Sequence, residues 1–178
     1  MATETDAPKT HISPEMQAAI GRETGRKVSF PISDSDIRRW AIAIYYPEEP
    51  PRLFWDAEYA RGTVHGGIVA PEEFNPFAWM SADGFQRTSA TGTVNADYLE
   101  ASLGIKGPGV KFMLNGSLET DYGVRMRPGD VITSVSRLHS YTERTGRLGL
   151  MLFSTIEDTW TNQKGEVVKK ARNMVIRY

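Results

Sequence analysis

The spacing of apolar residues changes character along the chain. In the first half, Ile37, Trp40, Ala41 and Ile44 recur at i, i+3, i+4 and i+7, which places them on one helical face. Ser33 and Asp36 form an S-x-x-D capping box ahead of them, so a helix is predicted to open there. Pro47, Pro50 and Pro51 forbid its continuation. A shorter helix is predicted from Ser13, with Pro14 at its first position and an end near Gly21 or Gly25. Residues 27–32 read as a strand. After Pro71 a third helix is predicted over 72–80, with Phe74, Phe77 and Ala78 on one side. Pro76 is expected to kink it or delay its start, and the lack of charge over 74–80 predicts burial on most sides.

The second half alternates with the period of strands, over 110–121, 130–142, 147–161 and 166–178. Turn-forming residues separate them at 127–130, 143–146 and 162–165, and 84–92 reads as a loop. Strands of this length with one apolar helix predict an α+β domain, a long curved antiparallel sheet wrapped around a central helix. That domain is placed at 13–178, behind a flexible polar tail at 1–12.

Composition narrows the function. The 178 residues suit one domain, and 40% hydrophobic content supports a core. A net charge of −1 gives no general field for nucleic acid or an anionic membrane. The absence of cysteine excludes disulfides, thiol nucleophiles and thiolate metal sites. Three histidines, none at ligand spacing from an acid, give no metal site, and no phosphate loop or dinucleotide fingerprint occurs. No apolar run reaches membrane-span length and the polar N-terminus is no secretory signal, so a cytoplasmic protein is expected.

Three runs carry a resemblance: Asp36-Ile37-Arg38-Arg39-Trp40-Ala41, then Phe54-Trp55-Asp56-Ala57-Glu58-Tyr59-Ala60, then Gly66-Gly67-Ile68-Val69-Ala70-Pro71. With Arg127-Pro128-Gly129-Asp130-Val131 and the run from Asn162 to Val168, they resemble MaoC-like proteins over nearly the whole chain. The similarity is to the fatty-acid-synthase-type dehydratase N-terminal branch. It implies a hot-dog fold that assembles in pairs and binds acyl-CoA thioesters between them. Active members hydrate a 2-enoyl-CoA: an aspartate and a histidine on the loop after the second helix activate water. An amide at the start of the central helix polarises the thioester carbonyl.

This chain departs from that pattern where the chemistry lies. The family's G-D-x-N-P-x-H loop is matched by Tyr45-Tyr46-Pro47-Glu48-Glu49-Pro50-Pro51-Arg52-Leu53-Phe54, which has neither aspartate nor histidine. The family's I-A-H-G reads Val69-Ala70-Pro71-Glu72, and Pro71 has no N–H to donate. An aspartate and histidine at the family spacing occur only as Asp6 and His11, in the tail. No catalytic residue is therefore assigned.

The expected role is a subunit of a heteromeric 2-enoyl-CoA hydratase/dehydratase of lipid or steroid metabolism. It would shape the acyl-CoA pocket beside a homologous hot-dog partner that keeps the aspartate–histidine pair. The CoA thioester is the substrate and no cofactor is expected. Candidate pocket or CoA residues are Tyr45, Tyr46, Phe54, His65, Gly67, Ala70, Phe74, Arg147, Lys169 and Arg172. Arg144, Lys170 and Arg177 extend the same basic cluster. Two other readings stay open. One is a non-enzymatic hot dog that binds acyl-CoA or scaffolds another enzyme. The other is a thioesterase using His65, ahead of Gly66 and Gly67, with Glu73 as base or nucleophile.

Overall fold

The computed structural model describes residues 10–78, 82 and 95–178. The first helix, α1, spans Pro14–Ala18 as the caps predict: Ser13 accepts a hydrogen bond from the Met16 amide and Pro14 opens the first turn. Helix α2 spans Asp34–Tyr45 behind the expected capping box, with Ser33 and Asp36 bonded reciprocally. It buries Ile37 and Ala41, while Ile44 at the same spacing stays largely exposed. A single 3-10 turn, Arg52–Phe54, and the short helix α3, Ala57–Arg61, follow.

Among the described residues the sheet has five antiparallel strands in the order β1-β3-β4-β5-β2. Strand β1 is Glu23–Val28, β2 Met113–Tyr122, β3 Thr133–Gly146, β4 Gly149–Thr161 and β5 Val167–Arg177. Expectation and structure differ in four places. Strand β1 lies earlier than 27–32, because Pro31 has no N–H to give a ladder. The β3–β4 turn contracts to Arg147 and Leu148, since Gly146 pairs with Gly149, whose φ of +89° closes the bend.

The helix predicted over 72–80 does not form in its described part. Residues 72–78 form turns instead, and 79–80 lie outside the described residues, as do Asp6, most of the tail and the loop at 84–92. Pro76 removes one helical donor and disfavours helical geometry at Asn75. The Asn75 side chain then accepts from the Phe77 amide at 3.0 Å, closing a side-chain turn in place of a helical one. A helix not expected, α4, spans Tyr98–Ser102.

Register fixes two faces. On the inner face Leu138, Leu152 and Tyr141 pack with Met16 and Ala19 of α1 and with Leu99 and Leu103 around α4. A second core joins Ile37 and Ala41 of α2 to Phe54, Val69, Phe74, Met126 and Ile132. The outer face carries a charged rung across all five strands: Glu119, Arg172, Glu157, Arg137 and Glu23 stand in register with alternating sign. Strand β2 ends the sheet and leaves Leu114 and Leu118 exposed, with Phe112 just before it. No helix is long and apolar enough to cross a membrane among the described residues.

Candidate functional site

The loop after α2 is where the sequence departs from its resemblance. It turns through a cis Tyr46–Pro47 bond and is held by the Trp55 indole, which donates to the Pro50 carbonyl at 2.9 Å. Arg52 pairs with Asp56 at 2.6 Å, and the hydrogen bonds from the Tyr59 amide and Arg52 hold the Asp56 carboxyl below its ordinary value. The side chains are solvent-facing: Tyr46 is 81% exposed, Glu48 and Glu49 are exposed, and Tyr45 leans on Phe54 with ring centres 6.0 Å apart. The loop at 46–53 carries the carboxylates Glu48 and Glu49 but no aspartate and no histidine.

The segment after His65 is held from below. Arg127 donates to the His65 carbonyl at 2.7 Å, beneath Gly67. The Ala70 amide donates to the Met126 carbonyl at 2.8 Å, and Pro71 has no amide hydrogen. Neither residue has a donor left for an oxyanion, which needs aimed and unoccupied N–H groups. Glu72 is tied to Arg125 at 2.5 Å, and Glu73 is exposed. His65 and Glu73 share no hydrogen bond or ion pair among the described residues.

The remaining candidates are scattered. Phe54 and Phe74 belong to the core. Arg147 stands exposed at the β3–β4 tip. Arg172 lies on the outer face, bonded to Glu157 at 2.8 Å. Lys169 faces inward, opposite Trp160. Its ammonium sits 4.6 Å from the Trp160 ring centre and 5.8 Å from that of Tyr122. Burial pushes its pKa below the ordinary lysine value, while Asp158 and Glu73 oppose that shift. Arg177, read as one more cation of the basic cluster, is fully buried beneath α4 and bonded to Glu100. The structure therefore does not bring these basic residues into one patch.

Sequence reasoning passed over the polar residues that do converge. Ser134, Ser136, Asp158 and Trp160 line a cavity of about 410 Å³ beside β1, with Asn75 and Phe77 across from them. Ser136 donates a short hydrogen bond to Asp158. Phe77 meets Trp160 edge to face, with centroids 5.2 Å apart. The signal was present in strand alternation: along β4 the inner face reads Leu152, Ser154, Ile156, Asp158, Trp160, and one carboxylate breaks an otherwise uncharged row.

Comparison with known proteins gives the lineage. The family model for the FAS1-like dehydratase domain region matches residues 18–171. A search of curated proteins gave no match. Among solved structures, the chain is similar to the ChsH1–ChsH2 complex from Mycobacterium tuberculosis, with a TM-score of 0.64 and 19% identity over 92% of this chain and 87% of that one. It is also similar to a MaoC-like dehydratase from Rhodospirillum rubrum, at 0.55 and 20% over 90% and 92%. The C-terminally truncated HadBC (3R-hydroxyacyl-ACP dehydratase) complex from M. tuberculosis gives 0.56 and 17% over 89% and 96%. These likenesses establish the fold as an α+β hot dog. The chain belongs to the family of the FAS1-like dehydratase domain region.

Proposed function

We propose that this chain is the non-catalytic subunit of a heteromeric 2-enoyl-CoA hydratase or dehydratase, shaping the acyl-CoA groove for a hot-dog partner that carries an intact aspartate–histidine pair. The observation that carries this reading is the emptiness of its own site. The loop at 46–53 holds no aspartate or histidine, and the Ala70–Pro71 step offers no free amide. General acid–base help contributes about 10²–10⁴-fold and a single oxyanion donor about 10²–10³-fold, so a chain lacking both has little means to hydrate an enoyl thioester.

The open edge supports a partner. Among the described residues, strand β2 presents an unpaired row of backbone groups with Leu114 at 50% and Leu118 at 68% exposure, a template for pairing with another strand. The similar structures of M. tuberculosis are complexes, and one is described as a 3R-hydroxyacyl-ACP dehydratase. A groove shared between subunits lets one of them give up catalysis and keep binding.

The test is hydration of crotonyl-CoA and a longer 2-enoyl-CoA, by the chain alone and after co-expression with a MaoC-like hot dog encoded beside it. Turnover is expected only in the mixture, together with a sedimenting complex of both chains. Robust turnover by the chain alone overturns the reading. So does a chain that remains monomeric at micromolar concentration with and without the second protein.

A further inference from the structure

The cavity beside β1 is polar in a way that an ordinary acyl pocket is not. Ser134 is 7% exposed, and its hydroxyl has no hydrogen-bond partner among the described residues. Asp158 receives Ser136 on one carboxylate oxygen, and its other oxygen is unpaired among the described residues. The Asn75 side chain uses its oxygen to hold the Phe77 amide, and its NH₂ has no acceptor among the described residues. Phe77 and Trp160 close the end of the same cavity with apolar surface.

A carboxylate oxygen can only accept, so whatever enters must donate. Lys27 lies in the cavity wall and Lys169 stands against Trp160, so a cationic donor would meet two ammonium groups. The remaining donors are neutral, a hydroxyl or an amide N–H; of the two only a hydroxyl can also accept from the Asn75 NH₂, and the aromatic wall favours one carried on apolar carbon. A saturated hydrocarbon would strip water from Asp158 and Ser134 and replace none of their hydrogen bonds. That is the asymmetry by which a site built for a hydroxyl rejects its absence. The cavity's size lies in the range of small-ligand sites.

We propose that this cavity is a specificity pocket for an acyl group bearing a hydroxyl beyond the reacting carbons, with Asp158 as the acceptor of that hydroxyl and Asn75 and Ser134 beside it. The inference rests on the acyl-CoA reading above and names the class of acyl group. Asp158 here selects substrate and takes no part in the hydration step.

Isothermal titration of the chain, in the assembly in which it purifies, with ω-hydroxydodecanoyl-CoA and with dodecanoyl-CoA tests it. The wild-type protein is expected to bind the hydroxylated thioester at least about tenfold more tightly. Asp158→Leu is expected to abolish or reverse that preference, and Asp158→Asn, which keeps the shape and one acceptor, to reduce it several-fold. Equal binding of the two thioesters, tighter binding of the plain chain, or a preference that both variants leave intact overturns the pocket while the acyl-CoA reading stands. Binding of neither thioester overturns the acyl-CoA reading and the pocket with it.

Discussion

Two sets of opposite charge lie on the inner face of the same sheet, and they are treated in opposite ways. At one end Glu100 of α4 and Arg177 of β5 are both fully buried. Arg177 spends all five of its N–H groups, on both Glu100 oxygens, on the Ala96 carbonyl and twice on the Ser154 hydroxyl, at 2.6–3.1 Å. Tyr141 adds a 2.6 Å bond to Glu100. At the other end Asp158 and Lys169 are half-buried on neighbouring strands and form no ion pair with each other. The first set is closed, with both charges answered from within the chain. The second leaves acceptors and donors facing a cavity. A charge that the fold has fully satisfied holds structure together, whereas one left unsatisfied beside a cavity has room for something from outside.

The sharpest way to break this comparison is to remove one member of the closed set. Arg177→Met would leave Glu100 buried with no counter-charge, and such losses cost about 3–5 kcal/mol. Urea unfolding is the measurement, and a loss under about 1 kcal/mol would show that the buried pair holds little. Removing both partners, as Glu100→Leu with Arg177→Met, is expected to recover much of that loss, because no isolated charge then remains.

A second, smaller effect follows from protonation. Burial alone would raise the Glu100 pKa, yet the hydrogen bonds from Arg177 and Tyr141 outweigh it and hold the carboxyl below its ordinary 4.5. A group depressed in the folded state contributes stability that is present above its unfolded value and is lost as pH falls through the folded one. Urea midpoints are therefore expected to hold steady from pH 7 to about 5 and to drop below about 4.5. In Glu100→Gln the acid-side drop is expected to be shallower. An identical profile in both proteins would remove Glu100 from the acid transition.

How much of this was legible in the sequence depends on the distance over which each feature is decided. The starts of α1 and α2 were readable because a cap is a local event: Ser13 and Ser33 bond to amides three residues on. The four long strands were readable from alternation and turn residues. The helix expected over 72–80 was misread, since apolar composition was allowed to outweigh Pro76 and the turn-closing side chain of Asn75. Helix α4 has five residues, too few to show a period. Glu100 and Arg177 are 77 positions apart, and each alone looks like an ordinary surface charge. The dispersal of the basic residues was readable in part. Lys169 and Arg172 are an odd number of positions apart, and in a strand that puts them on opposite faces. Their grouping by sequence proximity ignored this, and Asp158 went unnoticed for the same reason: faces, not neighbours, decide what meets in a sheet.

The smallest effect tests the open set. Lys169 spends its charge on two ring faces and on diffuse attraction from Asp158 and Glu73, with no hydrogen bond to lose among the described residues. Its stem packs in a partly desolvated site that burial makes unfavourable to a charge. Methionine retains the length and apolar contact of that stem and removes the charge, so nothing buried is left unanswered. Lys169→Met is therefore expected to change unfolding free energy by less than about 1 kcal/mol, in either direction. The same urea experiment that measures Arg177→Met decides it. If Lys169→Met cost as much as Arg177→Met, the two ends of the sheet would be equally structural. The contrast between a sealed charge pair and an open one would then lose its force.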